Sequence, residues 1–266
     1  MLVNTKLLKG FRLHCTDGEI GTVKDFIFCE NDWAVRYLAI ETGSWLMDRQ
    51  VLIPIRSLTE FDGKAGVFSV NLTRQQVESS PPLYLNEPIT TPFEEQYHQY
   101  YGLPSYNIPV NTWLPIPAIM SDSAVMKEAV QGDKNLQPGL HSTESVRDRR
   151  LQATDGEIGY ISDLILDDES WAVRYFVVNT HSWLPGRKVL IAPDWIDFIG
   201  PEATPVSVKV LREQVRKSPE YTDACELNRD YEEALHEHYK CKGYWDVAQA
   251  AGKDDTPRNN APPGQT

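Results

Sequence analysis

The sequence predicts a mainly β protein: two tandem small antiparallel β-barrels, each followed by short helices. Three observations predict it. The motif Thr16-Asp17-Gly18-Glu19-Ile20-Gly21 returns 138 residues later as Thr154-Asp155-Gly156-Glu157-Ile158-Gly159. The offset then holds without a gap, and 36 of the 95 positions from Arg12 to Tyr106 are identical to their mates. Each copy is a series of short alternating apolar runs separated by turn residues and closed by a helix. A chain of 266 residues has room for two domains of about a hundred residues each. The period is far longer than the roughly 20–50 residues of solenoid repeats, so each copy should have its own core.

Taken in order, Phe11 to Cys15 is a first strand and Asp17-Gly18 a hairpin turn, since both turn positions favour positive φ. Gly21 to Phe28 follows as a second strand, and Glu30-Asn31-Asp32 as the next turn. Trp33 to Thr42 is the longest strand, apolar on both faces, as is its mate from Trp171 to Thr180; this suits a central strand of a small closed barrel. Val51 to Ile55 and Val67 to Leu72 are further strands. Thr73 then caps a helix with Gln76 three residues on, and Pro81-Pro82 stops it. A second helical piece comes after each copy, Pro92 to Tyr101 and Asp230 to Tyr239, with Phe93, Tyr97 and Tyr100 or Tyr101 forming an aromatic stripe. That stripe is expected to pack on the other copy or on another chain.

These elements divide the chain into a first domain with a Tyr-rich helical tail (1–107), a linker containing Pro109, Pro115, Pro117 and Pro138 (108–147), a second domain with its tail (148–245), and a disordered tail (246–266).

Composition limits the functional classes. The net charge of −12 is spread along the chain, and no Lys/Arg run marks a basic patch, so direct nucleic-acid or anionic-lipid contact is disfavoured. Cys15, Cys29, Cys225 and Cys241 are not closely spaced, and their repeat mates are Ala153, Asp167, Glu87 and Leu103, so neither a zinc site nor the fold requires them. Reduced thiols fit a cytoplasmic protein. The opening stretch lacks a signal-peptide core, and no apolar run approaches the roughly 18 residues of a membrane span. Any membrane association would be peripheral, through a partner.

The motif order resembles the PRC-barrel family, named for the cytoplasmic barrel of the photosynthetic reaction-centre H subunit and including the C-terminal domain of a ribosome maturation factor. The residues that carry the resemblance are Asp17-Gly18-Glu19-Ile20-Gly21, Trp33-Ala34-Val35-Arg36-Tyr37-Leu38, Val51-Leu52-Ile53-Pro54 and the helix Thr73 to Ser79, all recurring in the second copy. It spans roughly 10–85 and 148–222 and looks like the tandem bacterial form, whose Tyr-rich tail Tyr101-Gly102-Leu103-Pro104-Ser105-Tyr106 matches. The second tail, Tyr239 to Trp245, departs from it. The resemblance implies a six-stranded antiparallel barrel or sandwich per copy, acting as a binding or assembly module without catalytic residues.

Candidate chemistry is sparse. Glu95-Gln96-Tyr97-His98 and Glu233-Ala234-Leu235-His236 are both Glu-x-x-His, the spacing of di-iron helices, but the companion helices of such a bundle are missing. Glu95, His98, Glu233 and His236 are thus the metal candidates, set against a local Glu–His contact on exposed helices. Arg36 and Arg174, mid-strand, are expected to pair with Asp25 or Asp163. The acids of the opening loops read as solvated turn residues. Trp45, Trp183, Tyr97, Tyr101 and Tyr239 are candidates for an interaction surface.

The expectation is a non-enzymatic protein-interaction or assembly module without a cofactor. It would bind protein partners, a further copy of the chain included. An accessory role in RNA processing or ribosome assembly is the alternative, and metal binding at the paired helices a third.

Overall fold

A computed structural model of the chain describes residues 1–43, 49–81, 83–84, 89, 91–103, 139–180, 187–200, 204–222 and 227–246. It is mainly β. Two compact units form, Met1–Arg149 with Asp163–Phe176, and Arg150–Ser162 with Val177–Thr266. The first unit therefore includes a hairpin from the second copy.

In the first copy, β2 (Arg12–Cys15), β3 (Gly18–Cys29), β4 (Ala34–Glu41) and β5 (Arg49–Pro54) form an antiparallel meander, and β6 (Leu58–Asp62) and β7 (Val67–Val70) form a hairpin. The order is β6-β7-β2-β3-β4-β5-β8, with β8 (Leu83–Tyr84) at the edge. Strands at the 138-residue offset follow the same order: β14 (Ile196–Ile199), β15 (Val206–Val208), β10 (Arg150–Ala153), β11 (Gly156–Asp167), β12 (Val173–Asn179) and β13 (Lys188–Ile191).

The expected all-antiparallel sheet is corrected at one place in each copy. β2 pairs parallel with β7, and β10 parallel with β15. The cause is the junction after β5. A hairpin reverses the chain, whereas the 3₁₀ turn Ile55–Ser57 leads β5 into β6 in the same direction. β7 then returns parallel to β2. Among the described residues no ladder joins β5 to β6, so the pairings leave the sheet open there.

The opening motif is a joint between strand, turn and helix. Asp17 Oδ1 accepts the backbone N–H of Arg74 at 2.8 Å, and Asp155 does the same for Arg212 at 2.8 Å. These acids, expected to be solvated, instead satisfy orphan donors at the start of the closing helix. Gly21 and Gly159 carry φ of +157° and +152°, and a Cβ there would lie 2.2 Å from the Glu41 carbonyl oxygen and 2.0 Å from that of Asn179. Thr73 and Gln76 form the expected capping box. In the second copy Leu211 replaces the threonine, leaving only the Gln214 half, which accepts from the Leu211 N–H at 2.8 Å.

Two arms were not legible as elements. β1 (Leu2–Asn4) runs into a helical turn, Thr5–Leu8, and β9 (Leu140–Ser142) into Thr143–Val146. The second arm lies in the stretch expected to be linker. β1 pairs with β11 as Leu2↔Asp167, Val3↔Leu166 and Asn4↔Ile165; β9 pairs with β3 as Leu140↔Cys29, His141↔Phe28 and Ser142↔Ile27. Both ladders share one register at the 138 offset. Each arm thus completes the sheet of the copy to which it does not belong by sequence.

A second junction lies nearby in the first unit. Ala34 and Ala172 form an antiparallel bridge, with Val35 N–H donating to Trp171 O at 2.8 Å and Val173 N–H to Trp33 O at 2.7 Å. Trp33 and Trp171 sit at φ 56° and 54°, uncommon for bulky residues. Trp171 packs into a cluster of Phe26, Phe61 and Phe68, with ring centroids 5.5–6.5 Å away. Burial of this indole holds the strained backbone in place.

Candidate functional site

Two kinds of cluster of buried polar side chains remain once the sheets are accounted for. One kind lies beneath each tail helix and the other beneath the arms.

The first tail helix, Thr91–Tyr101, packs on its own copy. This corrects in the main the expectation of docking on the other copy or another chain: the β3–β5 face already offers an apolar floor, to which the second copy adds Leu140. Tyr97 is 1 % exposed, in a cluster with Ile27, Tyr37, Ala39 and Leu52, and its hydroxyl donates to the Leu52 carbonyl. Phe93 and Tyr101 pack against the same cluster. Burial pushes the Tyr97 phenol well above its ordinary pKa. The stripe therefore fixes which polar residues turn inward. They are Glu94 and His98, one turn apart; Glu95 is exposed.

Tyr37 joins the two buried groups, with its hydroxyl 3.2 Å from Glu94 Oε1 and 2.9 Å from His98 Nε2. One phenolic proton serves both if His98 donates from Nε2 and Tyr37 donates to Glu94. Burial raises the Glu94 pKa, against the opposing hydrogen bond from Tyr37 and the charge of Arg36. Burial lowers that of His98, as do the cationic Arg56 and Arg36. The relay is sealed and holds helix to sheet.

The second tail helix, Arg229–Tyr239, repeats the theme with other partners. Glu232 and His236 are buried; Glu233 is exposed. Glu232 accepts from the Tyr244 hydroxyl at 3.0 Å and pairs with Arg229 at 3.1 Å. His236 Nδ1 lies 3.0 Å from the Lys242 carbonyl, and its ring lies 5.4 Å from that of Trp195. Burial lowers its pKa. Arg229 lies over the Trp245 ring at 4.1 Å. Tyr239 is buried against Trp195, with ring centroids 4.1 Å apart and its pKa pushed up to about 12 by burial.

The four metal candidates therefore divide, His98 and His236 inward and Glu95 and Glu233 outward. Among the described residues no group of three or more His, Cys, Asp or Glu side chains could hold a metal ion. Tyr97 and Tyr239, expected as interaction surface, are instead buried in their own copies; Tyr101 is half-buried. Trp45 and Trp183 lie outside the described residues, as do Cys225, the linker from 104 to 138 and the tail from 247.

The arm cluster centres on Asp25 and Asp163, 7 % and 4 % exposed. Asp25 accepts the hydroxyls of Ser142 and Thr143, the Glu144 N–H at 3.2 Å and the Phe26 N–H at 2.8 Å. Asp163 accepts the Thr5 hydroxyl at 2.5 Å and the Leu164 N–H at 2.9 Å. The expected Arg36 and Arg174 partners are corrected accordingly. Arg36 pairs with Asp32 at 2.6 Å, and Arg174 with Asp167 at 3.0 Å. Those acids lie in or beside the adjacent turns, within reach of an arginine that extends along its strand. The sequence signal for the arms was present: Leu2/Leu140 and Thr5/Thr143 are identical at the 138 offset, upstream of Arg12.

Among the described residues no helix is long and apolar enough to cross a membrane. A comparison with curated proteins finds no match. Residues 13–77, within the first copy, match the family model of the PRC-barrel domain.

Proposed function

We propose that the protein is a non-enzymatic interaction or assembly module built from two tandem PRC-barrel-like domains. One observation carries this reading: the duplicated polar residues serve as fastenings. Asp17 and Asp155 cap helices, Asp25 and Asp163 hold arms, and Glu94 and His98 tie a tail helix to its sheet. Side chains of the kind that catalysis uses are here spent on joining backbone segments, which is the work of a scaffold.

The test is an affinity capture of the tagged chain from its native host, followed by reconstitution with the purified candidate. A stoichiometric complex that forms from purified components supports the reading. A reproducible catalytic activity of the isolated chain, with no complex formed, overturns it. Co-sedimentation with ribosomal particles in the same extracts would direct the module to ribosome assembly.

A further inference from the structure

We propose that each copy carries a built recognition site for an arm of another copy. The site consists of the edge of β3 or β11 together with the buried Asp25 or Asp163, and its ligand is a short segment with an aliphatic residue, any residue, Asn or Ser, Thr, and an aliphatic residue three positions further on. In this chain both sites are filled from within. Their natural competitor is the matching arm of a second copy of this chain.

The same binding event is present twice with different neighbours, which separates what recognition needs from what it tolerates. The ladder register is the same in both. So is the contact between the threonine hydroxyl and the buried aspartate. Thr5 and Thr143 are fully buried, and Leu8 and Val146 close the turn that follows. The flanking residues vary freely: Val3 faces Leu166 where His141 faces Phe28, and Lys6 stands where the other arm has Glu144. A strand edge supplies affinity through backbone bonds, and a buried carboxylate supplies selection, because a segment without the hydroxyl leaves that carboxylate short of a donor. Between arm and body, Lys9 pairs with Glu144, so the two arms also touch each other.

This deepens the proposed interaction role and rests on it only for its biological use. If arm binding fails while the captured complex persists, the role stands without this site; the reverse result leaves the site and removes the role.

The test uses the chain with residues 1–9 removed, which vacates the Asp163 site. The probe is a synthetic peptide of residues 2–10 labelled at its C-terminus and followed by fluorescence anisotropy. Saturable binding is expected to the truncated chain. Binding should be at least tenfold weaker for the Asp163→Asn version, for a Thr5→Val peptide, and for the intact chain, whose own arm competes with the peptide. A folded truncated chain that ignores the peptide, or that binds all versions alike, overturns the proposal. Should truncation unfold the chain, the intact sequence with a protease site inserted after Ser121 decides instead. After cleavage the halves should elute together, and a Thr5→Val/Thr143→Val pair should raise their dissociation constant at least tenfold. Halves that part in the unsubstituted protein, or an unchanged constant, refute it.

Discussion

Replacing Asp25 by alanine should destabilise the first unit more than any exposed substitution. Four donors converge on this carboxylate: the hydroxyls of Ser142 and Thr143 and the backbone N–H groups of Phe26 and Glu144. Thr143 is fully exposed to none of the solvent, whereas Ser142 and the Glu144 N–H are near enough to the surface for water to replace the carboxylate. The cost therefore comes mainly from the Thr143 hydroxyl and the Phe26 N–H. A buried donor left unsatisfied costs about 1–3 kcal/mol, so the two together predict a loss of about 2–6 kcal/mol. For a chain of this size that is roughly 4–24 °C in Tm, at about 2–4 °C per kcal/mol. Urea unfolding followed by tryptophan fluorescence and circular dichroism measures it. Thr143→Val removes one of the donors at nearly constant shape. In a double-mutant cycle the pair should therefore be less damaging than the sum, with a coupling of about 1–3 kcal/mol. A loss below about 1 kcal/mol for Asp25→Ala, or a coupling near zero, would refute the view that this carboxylate holds the arm.

Other substitutions test the remaining joints. Gly21→Ala and Gly159→Ala each drive a Cβ into a carbonyl oxygen and should cost about 2–4 kcal/mol by thermal melting, far above the roughly 0.5–1 kcal/mol gain of an unstrained glycine-to-alanine change. Leu211→Thr restores the missing half of a capping box at an exposed position and should stabilise by about 0.5–1 kcal/mol in the same assay. His98 and His236 both have folded pKa values below the ordinary 6.5, so the unfolded chain binds the extra protons. Stability is then full above pH 6.5 and falls as acid approaches the folded values, and His98→Gln should flatten the slope seen in urea midpoints over that window. In a Cys225→Ser background, exposed Cys241 should react with a disulfide reagent at once. Buried Cys15, its pKa pushed up to about 11 by burial, and buried Cys29 should react only after unfolding.

The sequence carried the local part of this architecture and missed the long-range part. Alternation around Trp33–Thr42, the Asp-Gly turns and the Thr73 cap each act over a few residues, and β3, β4 and the closing helix follow from them. β6 went unread because Leu58–Asp62 is short, half-exposed and entered through a 3₁₀ bend that carries no turn signature; that omission also hid the parallel pair. The arms have three-residue strands, too short for any period to register. Asp25 reads from sequence as a partner for Arg36, yet its hydroxyl donors Ser142 and Thr143 lie more than a hundred residues away, where nothing local can name them. At the tail helix the aromatic stripe was legible, and read through to its consequence it would have chosen Glu94 over Glu95 as the buried neighbour of His98.

The exchanged arms also set a timetable for the nascent chain. Leu2–Leu8 cannot settle until Asp163–Asp167 have been made, and the β3 edge stays bare until Leu140–Ser142 arrive. At about 5–20 residues per second that is a wait of roughly 8–30 s for the first arm. For most of it, until Leu140–Ser142 arrive, the half-made first copy shows an open strand edge to its neighbours on the same message. Slow synthesis would lengthen the exposure, and crowded polysomes would supply the wrong arm.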